Sequence, residues 1–329
     1  MKVFIAGATG VLGRRVVDKL VADGHEVVGL SRSQQNAEWL QAHGAVPRRG
    51  DLFDQEQMSE LAAGCEAILH LATAIPSSAR PTRQDWAMND RIRREGTHAL
   101  VGAALHNNCQ FYVQQSITRI YSDHGAKWVD ESTTLPEKQL DVMQSAADME
   151  QIVRDAATQR GLAATILRLG IFYSYDSAHT QSMFQLIPRR SYPIVGAGDG
   201  YWSLLSVDDA TTAVCQVVKR PDACIGQTFN VCDDQPVQYG ELMAFIAETL
   251  GAPQPRHIPV WLASLLLGKL TVEPLLASTR CKNDRFKNQT GWRPEYPTYR
   301  EGIPAEIKKW RDQEYSWSIT DRLPWLRTS

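Results

Sequence analysis

The chain has 329 residues, and 35 Lys+Arg stand against 37 Asp+Glu for a net charge of −2. That balance excludes the basic surface of a nucleic-acid binder, and the length suits one nucleotide-binding domain with a smaller appended part. Six cysteines, at positions 65, 109, 215, 224, 232 and 281, form no C-x-x-C pair, so they read as reduced, buried thiols of a cytoplasmic protein, neither a disulfide framework nor a zinc site.

The run Lys2-Val3-Phe4-Ile5-Ala6 has the composition of a buried strand. It starts so early that no room is expected for a cleaved signal peptide. Gly7, Gly10 and Gly13 follow at three-residue spacing, and Leu12, Val16, Val17, Leu20 and Val21 then recur at helical spacing up to a C-cap glycine, Gly24. Strand, glycine turn and helix in this order are the phosphate-binding start of a dinucleotide fold. The first glycine permits the tight turn, the second lets backbone approach a pyrophosphate, and the third lets helix pack on strand. The expected cofactor contacts here are Gly7, Thr9, Gly10, Val11, Leu12, Gly13 and Arg14.

The second strand, His25 to Leu30, ends in Ser31-Arg32-Ser33. An acid at this place would bond a ribose 2′-hydroxyl and select NAD, whereas an arginine pairs with a 2′-phosphate. Ser31 and Arg32 therefore point to NADP, with NAD possible and with Arg14 in reach of the same phosphate; the alternative is that both arginines are solvated surface charges. Asp51-Leu52, after a short strand, is the expected adenine contact. The fourth strand, 67–73, ends in Leu71-Ala72-Thr73, small enough for close passage beside a cofactor. His70, within that apolar run, reads as a core histidine. Residues 82–108 predict one long helix.

A fifth strand, 110–116, leads into the polar loop 117–125, at the end of a sheet strand where ligands bind in open α/β sheets. A helix from Gln144 to Gly161 and a sixth strand from Ala164 to Gly170 complete the alternation. Beyond Gly170 the texture changes to Pro, Gly and aromatic residues. Asp208 reads as the N-cap of a helix through Lys219, and 227–232 as a further strand. The apolar run Val260 to Gly268 is too short to span a bilayer and predicts a core or cap helix, with a membrane-surface role as the minor alternative. The chain closes in a tail rich in Trp and Arg. The predicted fold is a Rossmann doubly wound parallel sheet, residues 1–170 plus 203–233, with a smaller substrate-binding region, 171–202 plus 234–329.

The landmarks GATGVLG at 7–13, DL at 51–52, HLAT at 70–73, EGT at 95–97, QQSITRIY at 114–121, LRLGIFYS at 167–174, VDDA at 207–210, TFNV at 228–231 and TGWRPEYPTYREGI at 290–303 run nearly end to end. In this order they resemble the extended short-chain dehydrogenase/reductase superfamily, the NAD-dependent epimerase/dehydratase type. The resemblance implies an oxidoreductase; with the Ser31-Arg32 pair, the charge balance, the cysteines and the aromatics of 171–202, the expectation is a cytoplasmic, NADP-dependent enzyme for a small, partly apolar or aromatic metabolite, without nucleic acid, membrane insertion or metal, and compatible with a homodimer.

It also implies a tyrosine and, four residues on, a lysine that together move a proton at the substrate oxygen. Aligning Ala147-Asp148-Met149-Glu150 with the end of that motif puts Val142 in the tyrosine position and Ala146 in the lysine position, and Arg93 stands near the place of a helix asparagine. Three explanations stay open. A substitute acid comes from elsewhere, Tyr121 first, with Ser116 and Thr118 beside it to orient a carbonyl, and Tyr173 second. Alternatively, a strongly electrophilic acceptor needs only hydride placement. Finally, the protein binds NADP without turnover. Gly170 and Ser116 complete the expected cofactor contacts. Epimerase or dehydratase chemistry and a redox-neutral isomerisation or cyclisation are the remaining alternatives.

Overall fold

The computed structural model describes residues 1–314, so the Trp- and Arg-rich tail lies outside the described residues. Seven strands form the main sheet. β1 is Lys2–Ala6, β2 Glu26–Ser31, β3 Val46–Arg49, β4 Ala67–His70 and β5 Phe111–Ile117; the strands Ala164–Leu169 and Thr228–Val231 follow. Their spatial order is Thr228–Val231, Ala164–Leu169, β5, β4, β1, β2, β3. Every neighbouring pair is parallel. After β3 the chain returns to the other side of β1, and the crevice at that reversal is where ligands meet open α/β sheets.

The strand period of two divides the core. Val3 and Ile5 face α1 (Val11–Ala22) and the helix Val207–Lys219, packing with Val16, Leu20 and Val214. Phe4 and Ile68 face the other way, against Met58, Leu100 and Val153. Those three belong to α3 (Gln55–Leu61), α5 (Thr97–His106) and α6 (Gln144–Arg160). Between β2 and β3 lies α2 (Gln34–Ala42), capped by Ser33.

The expected long helix is a composite. α4 (Arg83–Arg91) opens on a capping box of Thr82 and Asp85, passes through a π-helical turn at Ile92–Gly96, and continues into α5. Such wide turns recur at functional sites because they re-aim one face of a helix. The expected N-cap at Asp208 is corrected: Ser206 Oγ accepts the Asp209 amide at 2.9 Å and Asp208 lies in the first turn. A serine hydroxyl reaches the N3 amide from extended backbone, which Asp208, already helical, cannot do.

A second core lies beyond the main sheet, where Tyr173, Phe184, Ile194, Trp202, Tyr239, Met243, Tyr299 and Ile303 pack together. The apolar run near 260 forms the helix Val260–Leu267, followed by Lys269–Leu276. Among the described residues no helix is long and apolar enough to cross a membrane. All six cysteines are free thiols.

Candidate functional site

The glycine turn has the shape its spacing predicts. Gly7 has φ +88°, and a Cβ there would lie 2.5 Å from the Ala72 amide nitrogen. A Cβ on Gly13 would lie 1.9 Å from the Gly7 carbonyl oxygen, so only glycine lets α1 sit down on the turn. At Gly10 the nearest atom to such a Cβ is 3.4 Å away, leaving the middle of the turn open for a ligand. No side chain caps α1 and no acid stands in its first turn, so its amides and positive end remain available to phosphate. These features fit a dinucleotide.

At the end of β2, Ser31 is buried and its hydroxyl has no partner. Arg32 beside it is exposed and has no ion-pair partner among the described residues. Arg14 is also exposed, and its guanidinium lies 5.1 Å from the Trp39 ring centroid. Asp51 is exposed and its Oδ1 accepts the Phe53 amide at 3.1 Å, while Leu52 is buried. After β4, Leu71 and Ala72 adjoin Gly7, and Thr73 is exposed. His70 is buried with Nε2 3.4 Å from the Ile92 carbonyl. Burial pushes its imidazole down to about 4, so it is a neutral core group at physiological pH.

The ends of β5 and the strand Ala164–Leu169 carry a buried polar network. Ser116 Oγ donates to Glu150 Oε1 at 2.6 Å. Arg168 donates Nε to Oε1 at 2.9 Å and Nη2 to Oε2 at 2.6 Å of the same carboxylate. Arg168 Nη1 donates to the Tyr121 hydroxyl at 2.8 Å, and that hydroxyl pairs with Asn230 Oδ1 at 2.9 Å. Tyr121 is fully buried, and burial holds its phenol well above the ordinary range against the opposing charge of Arg168. Its hydroxyl is thus engaged inside the protein both as donor and as acceptor. Thr118 is buried in the following 3-10 turn.

Tyr173 lies in the second core. Its hydroxyl has no partner, and burial followed by the charge of Asp233 holds it far above the ordinary range. Gly170 passes against backbone: a Cβ there would lie 2.8 Å from the Leu204 carbonyl oxygen. The expected catalytic group is therefore divided, with Ser116, Thr118 and Tyr121 close in sequence at one place and Tyr173 in another core.

Val142 and Ala146 are buried, at 1% and 0% exposure. Val142 packs with Trp86 and Met143, and Ile117, Leu140 and Leu270 close around them. Arg93 Nη1 reaches the Val142 carbonyl and the Ser145 hydroxyl, both at 3.2 Å. Asn89, two turns of chain after the cap, accepts the Ala74 amide at 3.0 Å and so ties α4 to the loop that faces Gly7. Asn89, Trp86, Glu150 and Arg168 escaped the sequence reading. A buried salt bridge between a helix and a strand leaves no local signal, but three polar residues at helical spacing on the otherwise apolar-facing side of α4 were visible.

A profile of the NAD dependent epimerase/dehydratase family matches residues 3–232. The chain belongs to that family. Among curated relatives, a 3-diazoavenalumate denitrifying reductase from a Streptomyces species is 31% identical over 317 residues, covering 93% of this chain and 100% of that protein. A ketoreductase from Stigmatella aurantiaca, named for a 4-hydroxy-2-methyl-3-oxo-4-farnesyl-3,4-dihydroquinoline-1-oxide substrate, is 28% identical over 76% of this chain and 74% of its own. The fold matches a dTDP-glucose 4,6-dehydratase from Streptomyces venezuelae solved with NAD bound, at TM-score 0.79 and 17% identity, over 97% of this chain and 99% of that one. The family and its reductase-named members make this chain an NAD(P)-dependent enzyme of oxidoreductase type.

Proposed function

We propose that the protein is an NADP(H)-dependent reductase of a small, partly aromatic metabolite, and that its acceptor takes hydride without a proton from a protein side chain. The observation that carries this is the burial of Val142 beside Trp86 and Met143, and of Ala146 beside Ile120 and Tyr121, at the positions the family resemblance gives to a tyrosine and a lysine. Neither side chain can move a proton. The nearby phenol of Tyr121 is engaged on both sides. Residues 1–170 with 203–233 would hold the cofactor, and 171–202 with the cap from 234 would hold the substrate.

Gly7, Gly10 and Gly13 with the α1 amides would hold the pyrophosphate, Ser31 and Arg32 the adenosine ribose and its 2′-phosphate. When bound, the reduced nicotinamide supplies hydride. The acceptor chemistry then decides whether an acid is required. A ketone that receives hydride becomes an alkoxide and must gain a proton. An arenediazonium that receives hydride at carbon expels dinitrogen and becomes the arene, and no proton enters the balance. The name of the Streptomyces relative describes a reductive loss of nitrogen from a diazo compound. Quinone-like acceptors, whose oxyanions are stable, form the neighbouring class. The ketoreductase relative favours a second reading, carbonyl reduction with water or Tyr121 as the proton source.

The test offers purified protein with deuterium-labelled NADPH to a stable arenediazonium salt, a quinone and an aryl ketone. The expected result is cofactor oxidation above the uncatalysed rate with the first two, label in the product, and a kcat/KM that is flat from about pH 6 to about pH 8 because no side-chain acid titrates in the step. Tyr121→Phe should keep kcat within about threefold. No oxidation with any acceptor would overturn the proposal. A loss of about a hundredfold or more in a folded Tyr121→Phe would return the proton-transfer role to that phenol.

A further inference from the structure

The inner face of the composite helix carries buried hydrogen-bond donors that are only partly satisfied. Trp86, Asn89 and Arg93 recur at helical spacing, so they share one face. Trp86 Nε1 and Asn89 Nδ2 are buried without a hydrogen-bond partner among the described residues. Arg93, 6% exposed, bonds one carbonyl and one hydroxyl through Nη1 and has no carboxylate within ion-pair distance among the described residues. Asp90, an acid whose charge acts on Arg93, has Oδ2 3.3 Å from Arg83 Nη2, and its Oδ1 is unpartnered among the described residues.

Burial lowers the Arg93 guanidinium to about 10, which still leaves it charged at neutral pH. A buried, charged guanidinium without an anion is costly, and each buried donor without an acceptor adds to the cost. Such a group calls for something that completes it, and a ligand anion is the partner a guanidinium takes. The surroundings describe that ligand. Val142, Met143 and Leu270 offer an apolar wall next to the donors. The face is tied to the glycine turn through one loop: Gly7 abuts Ala72, and two residues on the Ala74 amide donates to Asn89 Oδ1.

We propose that Arg93, with Asn89 and Trp86, is the substrate-specificity site and that it holds the carboxylate of a planar, apolar acid. Guanidinium and carboxylate match in planar, two-point geometry, and an amide and an indole N–H add donors to the same anion. The apolar wall takes the ring or chain. This deepens the reductase reading and rests on it for the identity of the bound molecule as substrate; the binding itself is independent of turnover.

The test is calorimetric titration of the NADP⁺-saturated protein with trans-cinnamate, with benzoate and with their methyl esters. The acids are expected to bind about tenfold or more tightly than the esters. Arg93→Gln should remove that preference and leave NADPH affinity within about twofold, while Arg93→Lys, which keeps the charge, should keep part of it. Equal binding of acid and ester by the wild type overturns the proposal without reference to any variant. A loss of NADPH affinity of about tenfold in folded Arg93→Gln also overturns it, because the guanidinium would then serve the cofactor. If acids bind through Arg93 while no acceptor is ever reduced, the site stands and the reductase reading falls; if acceptors are reduced but acids and esters bind alike, the reverse holds.

Discussion

Arg168 and Glu150 meet as a two-point salt bridge in the interior, Nε to Oε1 at 2.9 Å and Nη2 to Oε2 at 2.6 Å, with the carboxylate fully buried. The pair joins the strand Ala164–Leu169 to α6, and Ser116 and Tyr121 hang on it from the end of β5. It therefore fixes where the sheet's carboxyl edge stands relative to the helix that carries Ala146 and follows the turn of Val142.

Removing one partner leaves the other charge buried and unpaired. Glu150→Gln is expected to cost about 3–5 kcal/mol in urea unfolding, whereas a combined Glu150→Leu and Arg168→Met change should recover most of it. Burial alone would raise the Glu150 carboxyl, but Arg168 and Ser116 overcome it and the net shift is downward. A carboxyl held below its unfolded value stabilises fully above that value and loses the contribution as pH falls through the folded one. Stability measured on the acid limb should thus fall more steeply in the wild type than in the double variant.

The three glycines should separate by experiment. Gly13→Ala puts a methyl against the Gly7 carbonyl, so a loss of about 2 kcal/mol or more of stability is expected in thermal or urea unfolding. Gly10→Ala has room inside the protein, so it should fold normally and lose about tenfold or more in cofactor affinity by fluorescence titration. Normal affinity in Gly10→Ala would mean that no phosphate approaches this turn.

Arg32 has no competing ion-pair partner among the described residues. Arg32→Ala is expected to weaken NADPH binding by about tenfold to a hundredfold, the worth of a charge-assisted hydrogen bond, and to leave NADH nearly unchanged. If both coenzymes weaken alike, the 2′-phosphate lies elsewhere.

His70 supplies a pH signature of stability. Its folded value is about 4, below an ordinary histidine, because burial disfavours the charged ring. The unfolded chain then binds more protons between about pH 6.5 and about pH 4, so stability falls as pH drops through that window and the loss levels off beneath it. Up to roughly 3 kcal/mol is at stake. His70→Gln should flatten this part of a Tm-against-pH curve.

The glycine turn, the strand and helix order and the Ser31-Arg32 pair are legible in the chain because local backbone chemistry writes them: spacing, apolar period and turn residues need only near neighbours. The same local logic missed Ser206 as a cap, because it depends on the residue where helical backbone begins, and it missed the π turn within 82–108, because apolar period alone does not reveal one widened turn. Glu150 and Arg168 are 18 positions apart, and nothing in their surroundings announces that they meet. Tyr121 looked free in a polar loop until the fold buried it between Arg168 and Asn230. By itself the sequence determined a dinucleotide fold and placed valine and alanine at positions 142 and 146. Only the tertiary structure decided which polar groups spend their hydrogen bonds on one another and which, like Trp86 Nε1 and Asn89 Nδ2, find no partner among the described residues, because that choice is made by contacts across the fold.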